Sequence, residues 1–241
     1  MPQRMMNLVQ VARYLHVEPS EVGRWVRQGE IPYEQGIAHP AFRRKEIDAW
    51  ASQRILGMRE KPLTSYHRET SQQVRRDEDN ATFSICSMLT PERTLCDLPS
   101  RTKAAVLRDL AAVAEQEELL YDPRDLVRSL EEREALCSTG LAGGVAIVHP
   151  RHHDPYIASE SFLILARVAH PICFGAPDGK PTDIFFLLVA TDDRHHLQAL
   201  ARLCMMLLHT GLPANLRLAE TADELYRFTL LAEQEILATI R

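Results

Sequence analysis

The sequence predicts an α/β layered domain, with helices on both faces of a sheet, preceded by a small winged helix-turn-helix module. Three observations predict it. From about Thr82 onward, short apolar runs alternate with amphipathic helical stretches, the pattern of a layered α/β domain. Within residues 1–57, two short helical stretches flank a tight turn and lead into an extended stretch and a third helix. Charge divides the chain in the same way. Residues 1–61 carry 10 Lys and Arg against 7 Asp and Glu, a net +3, and the remaining residues carry 18 against 26, a net −8. A small basic module is a candidate for nucleic-acid contact.

The first module is read from its spacing. Leu8, Val11, Ala12 and Leu15 share one helical face, with Arg13 on the outer side. After His16-Val17-Glu18, Pro19 and Ser20 make a turn, with Ser20 placed to cap a second helix. That helix points Val22, Trp25 and Val26 inward and Glu21, Arg24, Arg27 and Gln28 outward, and Gly29 ends it. Ile31-Pro32 opens an extended section to Phe42, with Gly36 as the hairpin turn. A third helix buries Ile47 and Trp50 and starts at Arg43, Arg44 and Lys45. Residues 58–82 contain REKPLTSYHRETSQQVRRDEDN, rich in charge, Ser, Thr and Gln and poor in apolar periodicity. They are read as a linker, partly helical near Ser71–Arg76.

The acidic part, residues 83–241, is read as one domain. A strand is expected at Thr94–Leu98, followed by a long helix capped by Ser100 and a second helix after Asp122-Pro123. A glycine-rich loop, STGLAGG, precedes the apolar run VAIV, which stops at His149-Pro150. Further strands are expected at Phe162–Ala169 and Asp183–Ala190, with helices over Arg194–His209 and Thr221–Ile240, the last opened by a Thr221/Glu224 capping box. Ligands of open α/β sheets gather at strand ends, so His149 is where chemistry is expected. Neutral imidazole is a nucleophile that can carry a phosphoryl group. Arg133 and Arg151 are candidates for charge near the phosphate, and Ser138, Thr139 and the amides of Gly143 and Gly144 for bonds to its oxygens.

Composition excludes other classes. With 45% hydrophobic and 25% charged residues over 241 positions, the chain is neither disordered nor fibrous. The best membrane candidate, Ile184–Ala190, falls far short of the ~18 apolar residues a span needs. The start, MPQRMMNLVQ, lacks a secretory core, and the expected location is cytoplasmic. Cys86, Cys96, Cys137, Cys173 and Cys204 are odd in number and form no CxxC pair, as in a reduced compartment.

Two resemblances follow from quoted motifs. ARYL, RQGEIP and FRRKEIDAW, within about Met6–Ile55, resemble the DNA-binding domains of the excisionase and MerR-like group. The resemblance implies that Arg24, Arg27 and Gln28 face the major groove and that Arg43, Arg44 and Lys45 contact phosphates. Glu21-Val22 departs from the Ser or Thr with Val common there, and an acidic residue at that place repels a DNA backbone. Over about Ser84–Arg241, the runs LTPERTLCDLPSRTKAAVLRDLAAVA, REALCSTGLAGGVAIVHPR, ICFGAPDGKPTDIFFLLV and HHLQALARL resemble the enzyme IIA domain of the nitrogen-regulatory, fructose and mannitol type of the bacterial phosphotransferase system. This implies an α/β sandwich around a mixed sheet. It also implies His149 as phosphoacceptor, Arg133 holding the phosphate, Arg151 two places beyond the acceptor, His196 as the second active-site histidine, and a histidine phosphocarrier, HPr or a nitrogen-branch relative, as donor. Val148 stands where the family has proline and Ala142 where it has glycine; the second departure is costly if that position needs positive φ.

The histidines also admit a metal reading, with His149, His152, His153, His195 and His196 gathered near Asp154. No HExxH spacing supports it, and the expectation is of no metal and no cofactor. The function expected is a regulatory phosphotransferase-system protein phosphorylated on His149 and coupled to DNA or partner binding. A phosphoryl carrier of this kind is not a metabolic enzyme. The alternative is a DNA-binding regulator whose second domain is an unphosphorylated dimerisation or sensor module. A homodimer is left open.

Overall fold

Apolar side chains at helical spacing build the first unit, residues 1–82. A computed structural model of the chain describes residues 5–15, 17–34, 39–58, 60–77, 84–151 and 156–239. Strand β1 (Met5–Asn7) leads into helix α1 (Leu8–Leu15), which buries Val11, Ala12 and Leu15, and helix α2 (Pro19–Gln28) buries Val22 and Trp25. The expected cap shifts by two residues. Glu18 is the N-cap and Pro19 the first helical residue, where its fixed φ fits and its missing N–H is not needed, so Ser20 lies inside the first turn. Gly29 closes α2 at φ 67°, the left-handed turn that favours glycine, and its N–H donates to Val26 O.

Strand β2 (Ala41–Arg43) pairs antiparallel with β1, a strand the sequence reading missed, and Ala41 also bridges Glu34. The hairpin turn expected at Gly36 lies outside the described residues. Helix α3 (Arg44–Leu56) buries Ile47, Ala51 and Ile55, while Trp50 is only partly covered, as is Val26. Trp25 and Trp50 pack with ring centroids 5.0 Å apart, and Tyr14 Oη donates to the buried Asp48 of α3 at 2.9 Å.

Most of the segment read as a linker is helix α4 (Glu60–Asp77). Leu63, Tyr66, His67 and Thr70 recur at i, i+3, i+4 and i+7 and are buried, a narrow seam on an otherwise polar helix. Only one of the four is aliphatic, which is why composition concealed it.

The second unit, residues 83–241, is a five-stranded mixed sheet in the order β3-β6-β7-β5-β4, made of β3 (Thr94–Leu98), β4 (Gly140–Leu141), β5 (Val145–Val148), β6 (Phe162–Ile172) and β7 (Thr182–Val189). β3 runs parallel to β6 and β5 parallel to β7, whereas β6–β7 and β4–β5 are antiparallel. β6 runs three residues beyond its expected end, across a register shift that accommodates Pro171, which has no N–H for the ladder. Helix α5 (Lys103–Gln116) is capped by Thr102, whose side chain accepts from Ala105 N; Ser100, expected as cap, donates instead to Asp109 at 2.5 Å. Leu107 and Leu110 of α5 and Leu126 and Leu130 of α6 (Pro123–Leu136) join Val148, Ile164, Phe185 and Leu187 in one core.

Because strand side chains alternate, Ile147, Leu163, Leu165, Phe186 and Leu188 face the other way. They are also fully buried. That second layer comprises α7 (Asp193–His209), α8 (Leu212–Leu218) and α9 (Ala222–Ala238), with Thr221 capping α9 as expected. The short α8 was not foreseen. Among the described residues no helix is long and apolar enough to cross a membrane.

Candidate functional site

Parallel pairing of β5 and β7 brings their carboxyl ends to the same sheet edge. His149 follows Val148 at the end of β5, and His196 stands in the first turn of α7, just past β7. Their rings lie 5.0 Å apart at 46°, and both residues are buried, 1% and 0% exposed. Arg133 reaches the pair from the last turn of α6, where a cation is favoured by the helix dipole. Its Nη1 donates to Cys137 O at 3.1 Å, and its Nε donates to His149 Nε2 at 3.0 Å. A guanidinium can only donate, so Nε2 is an acceptor and the proton sits on Nδ1, which bonds Ile147 O at 2.9 Å. The lone pair of His149 is therefore on Nε2, facing a cation.

Arg133 is 2% exposed, and among the described residues its Nη2 has no hydrogen-bond partner. The neighbouring Glu134 is occupied elsewhere, accepting from Thr139 N and Oγ1 and pairing with Lys103 at 2.6 Å. A buried guanidinium nitrogen without an acceptor is costly, and an anion beside it would relieve that cost.

The remaining expected site residues divide. Ser138 and Thr139 lie beside the His149 end of β5, since Ile147 N donates to Thr139 O. Their hydroxyls are committed, however: Thr139 Oγ1 donates to Glu134 at 2.6 Å and Ser138 Oγ donates to Phe174 O at 2.8 Å. Arg151 is partly exposed and near Glu132 at 3.7 Å, with its backbone N bonded to Ser129; no contact joins it to His149.

The structure does not bring Gly143 and Gly144 to the histidine. They precede β5 and His149 follows it, a separation of about 16–20 Å at ~3.3 Å per residue. The Gly143 amide is taken by Asp178 at 3.0 Å, and this bond, with that from Lys180 N, holds the Asp178 carboxyl below its ordinary range. Arg217 closes the same loop, donating to Gly143 O at 2.6 Å and pairing with Asp183 at 2.7 Å. The glycines serve the turn itself, with φ 88° and 81°, and a Cβ on Gly144 would stand 2.7 Å from Arg217 Nη2. Ala142 is not among the positive-φ residues, so this departure costs no backbone strain, and Val148 sits in a regular parallel register with Leu187.

Of the metal candidates, His152, His153 and Asp154 lie outside the described residues, and the His195 ring is bonded to the Asp192 carboxylate. In the first unit, Arg24, Arg27 and Gln28 are exposed along α2, and Arg43 and Lys45 are exposed at the start of α3. Arg24 pairs with Glu21 at 2.6 Å and Arg43 with Glu34 at 2.6 Å, while Arg44 lies over the Tyr14 ring. The acidic residue expected to repel DNA is thus neutralised within its own helix. Sequence reading missed a cavity on this unit, because its lining comes from four separate helices and the turn after α1.

Together these features define a two-unit chain, a helix-turn-helix followed by an α/β domain with a histidine pair at one sheet edge. Residues 87–231 match the family profile of the phosphoenolpyruvate-dependent sugar phosphotransferase system, EIIA 2, and residues 5–55 match that of a helix-turn-helix domain. The chain belongs to the EIIA 2 family, with a helix-turn-helix domain at its amino-terminal side. A nitrogen regulatory protein of Pseudomonas aeruginosa is 32% identical over 145 residues, which span 59% of this chain and 92% of that protein. The crystal structure of nitrogen regulatory protein IIA-Ntr from Neisseria meningitidis is similar with a TM-score of 0.55 and 28% identity, covering 60% of this chain and 98% of that one. The mannitol IIA of Escherichia coli, at 17% identity and TM-score 0.52, covers 58% of this chain and 98% of its own and shares the fold.

Proposed function

We propose that the second unit carries a phosphoryl group on His149 Nε2 and that the first unit binds DNA, making the chain a cytoplasmic regulator whose output follows its phosphorylation. The observation that carries this reading is the Nε2 lone pair presented to a buried guanidinium whose Nη2 has no partner among the described residues. Such a cation is stabilised by an arriving dianion. In the transfer, the Nε2 lone pair forms a bond to phosphorus while the donor's own P–N bond breaks, and that electron pair returns to the donor's imidazole. Nδ1 keeps its proton and its bond to Ile147 O, so the ring does not turn. Arg133 passes from Nε2 to the phosphoryl oxygens, and the His196 ring holds the plane of its neighbour. The donor is a histidine phosphocarrier, HPr or a nitrogen-branch relative, a reading supported by the nitrogen-regulatory relatives. Arg151 contributes positive charge where that partner docks.

Incubating the intact chain with phosphoenolpyruvate, enzyme I and HPr yields an acid-labile phosphate on wild type and none on His149→Ala. Unlabelled wild type would overturn the carrier reading. The 1% exposure of His149 favours a second reading, in which the unit is an unphosphorylated dimerisation or sensor module, and the same assay separates the two.

For the first unit, Arg24, Arg27 and Gln28 read bases from α2, and Arg43, Arg44 and Lys45 hold phosphates. A base contact is worth about 1–3 kcal/mol. Arg24→Ala with Arg27→Ala therefore lowers salt-sensitive retention on DNA by at least about tenfold. Unchanged retention would refute groove contact.

A further inference from the structure

Arg133 makes one contact that phosphoryl transfer does not use. Cys137, four residues further on, caps the carboxyl end of α6 in an extended conformation, which turns its side chain back over the last helical turn. The sulfur accepts from Arg133 Nη1 at 3.4 Å, alongside the Cys137 carbonyl at 3.1 Å. Cys137 is partly exposed, whereas Arg133 and His149 are 2% and 1% exposed. Among the described residues no other cysteine sulfur accepts a bond from a guanidinium. Cys86 and Cys204 are buried, and burial pushes both thiols up, that of Cys204 to about 12. Burial also raises the Cys96 thiol, and Cys173 is exposed.

A guanidinium at a sulfur attracts the negative charge that develops there on oxidation. With hydrogen peroxide, the sulfur forms a bond to one oxygen as the O–O bond breaks, and the other oxygen leaves with the thiol proton as water. Sulfur gives up two electrons and the peroxide takes them, leaving a sulfenic acid; a second peroxide carries it to the sulfinate. The thiol sulfur is a weak acceptor, whereas the oxygens it gains are strong ones and, in the sulfinate, charged. They supply the acceptor that Arg133 Nη2 lacks among the described residues. A guanidinium held by Cys137 is withdrawn from His149 Nε2 and from an arriving phosphoryl group, which the added negative charge also repels.

We infer that Cys137 is a peroxide-sensitive modification site whose oxidised sulfur captures Arg133 and stops His149 from taking phosphate. Loss of phosphate uptake rests on the carrier reading; the modification and the capture of Arg133 do not. Hydrogen peroxide is added to the intact protein, sulfenic acid is trapped with dimedone and mapped by mass spectrometry, and a parallel sample without dimedone is followed by the ¹⁵N resonances of His149. Dimedone marks Cys137 ahead of the exposed Cys173, and the Nε2 resonance moves as Arg133 leaves it. Phosphate uptake from phosphorylated HPr falls by about tenfold, the loss of one bond to a charged group, and dithiothreitol restores it while the sulfur is at the sulfenic stage. Cys137→Ala keeps the carbonyl that holds Nη1, and peroxide changes neither its Nε2 resonance nor its uptake rate relative to the untreated variant. Labelling of Cys173 without Cys137, an Nε2 resonance unmoved once Cys137 is oxidised, or equal peroxide inhibition in Cys137→Ala would each overturn the site. An untreated wild type that takes no phosphate would refute the carrier reading alone and leave the labelling and the resonance to decide this one.

Discussion

Arg133→Met takes phosphate on His149 roughly 10²–10³-fold more slowly than wild type, the loss seen when one pre-aimed donor to a developing anion is removed. Methionine fills a similar length of buried space, so the effect reads chemistry more than volume. The variant also leaves His149 Nε2 and Cys137 O without their donor, which destabilises the unit by about 1–3 kcal/mol. Rates are measured by quenched-flow labelling with excess phosphorylated donor, and the His149 ring is followed by ¹⁵N resonance of its two nitrogens. The Nε2 shift moves toward a bare lone pair while Nδ1 stays protonated. A rate within threefold of wild type would show that the guanidinium serves packing alone.

Glu233→Ala lowers the stability of the second unit by about 3–5 kcal/mol, because it strands a buried charge. Glu233 of α9 pairs with Arg202 of α7 at 2.8 Å, and the two side chains are 2% and 1% exposed. The same carboxylate accepts from Ile85 N at 2.8 Å, from Cys86 N at 3.0 Å and from Ser84 Oγ at 2.7 Å, tying the first residues of the unit to its last helix. With burial, this carboxylate also pushes the Cys86 thiol up, so the sulfur stays protonated at neutral pH. The melting midpoint of the second unit falls by roughly 10 °C, measured calorimetrically. Replacing both partners, Arg202→Met with Glu233→Leu, recovers part of the loss, since no lone charge is then left inside. A single variant as stable as wild type would mean that water reaches the pair.

What the sequence disclosed and what it hid have physical causes. Thr94–Leu98 and Val145–Val148 match their strands residue for residue because their apolar runs are bounded by turn residues. His149 was legible from its strand end and Arg133 from its charge, His196 entered through the resemblance, and the fold brings the three together although they are far apart along the chain. Gly143 and Gly144 lie away from His149 for the opposite reason: neighbours in a motif are separated in space when a strand intervenes. α4 was hidden because Tyr66, His67 and Thr70 do not read as an apolar seam. The cavity had no linear signature, since Glu18, Trp50 and Glu69 meet only after folding.

The strand order also dictates when reactivity arises as the polypeptide folds. β6–β7 and β4–β5 are sequence-local hairpins, whose closure costs the least chain entropy. The parallel β5–β7 pairing has to span the whole of β6, so it is a longer-range step than either hairpin. His149 travels with the β4–β5 hairpin and His196 follows the β6–β7 hairpin, which makes their meeting a product of that docking. A nascent or partly unfolded chain thus carries both imidazoles without the assembled pair, which exists only once the two hairpins have docked.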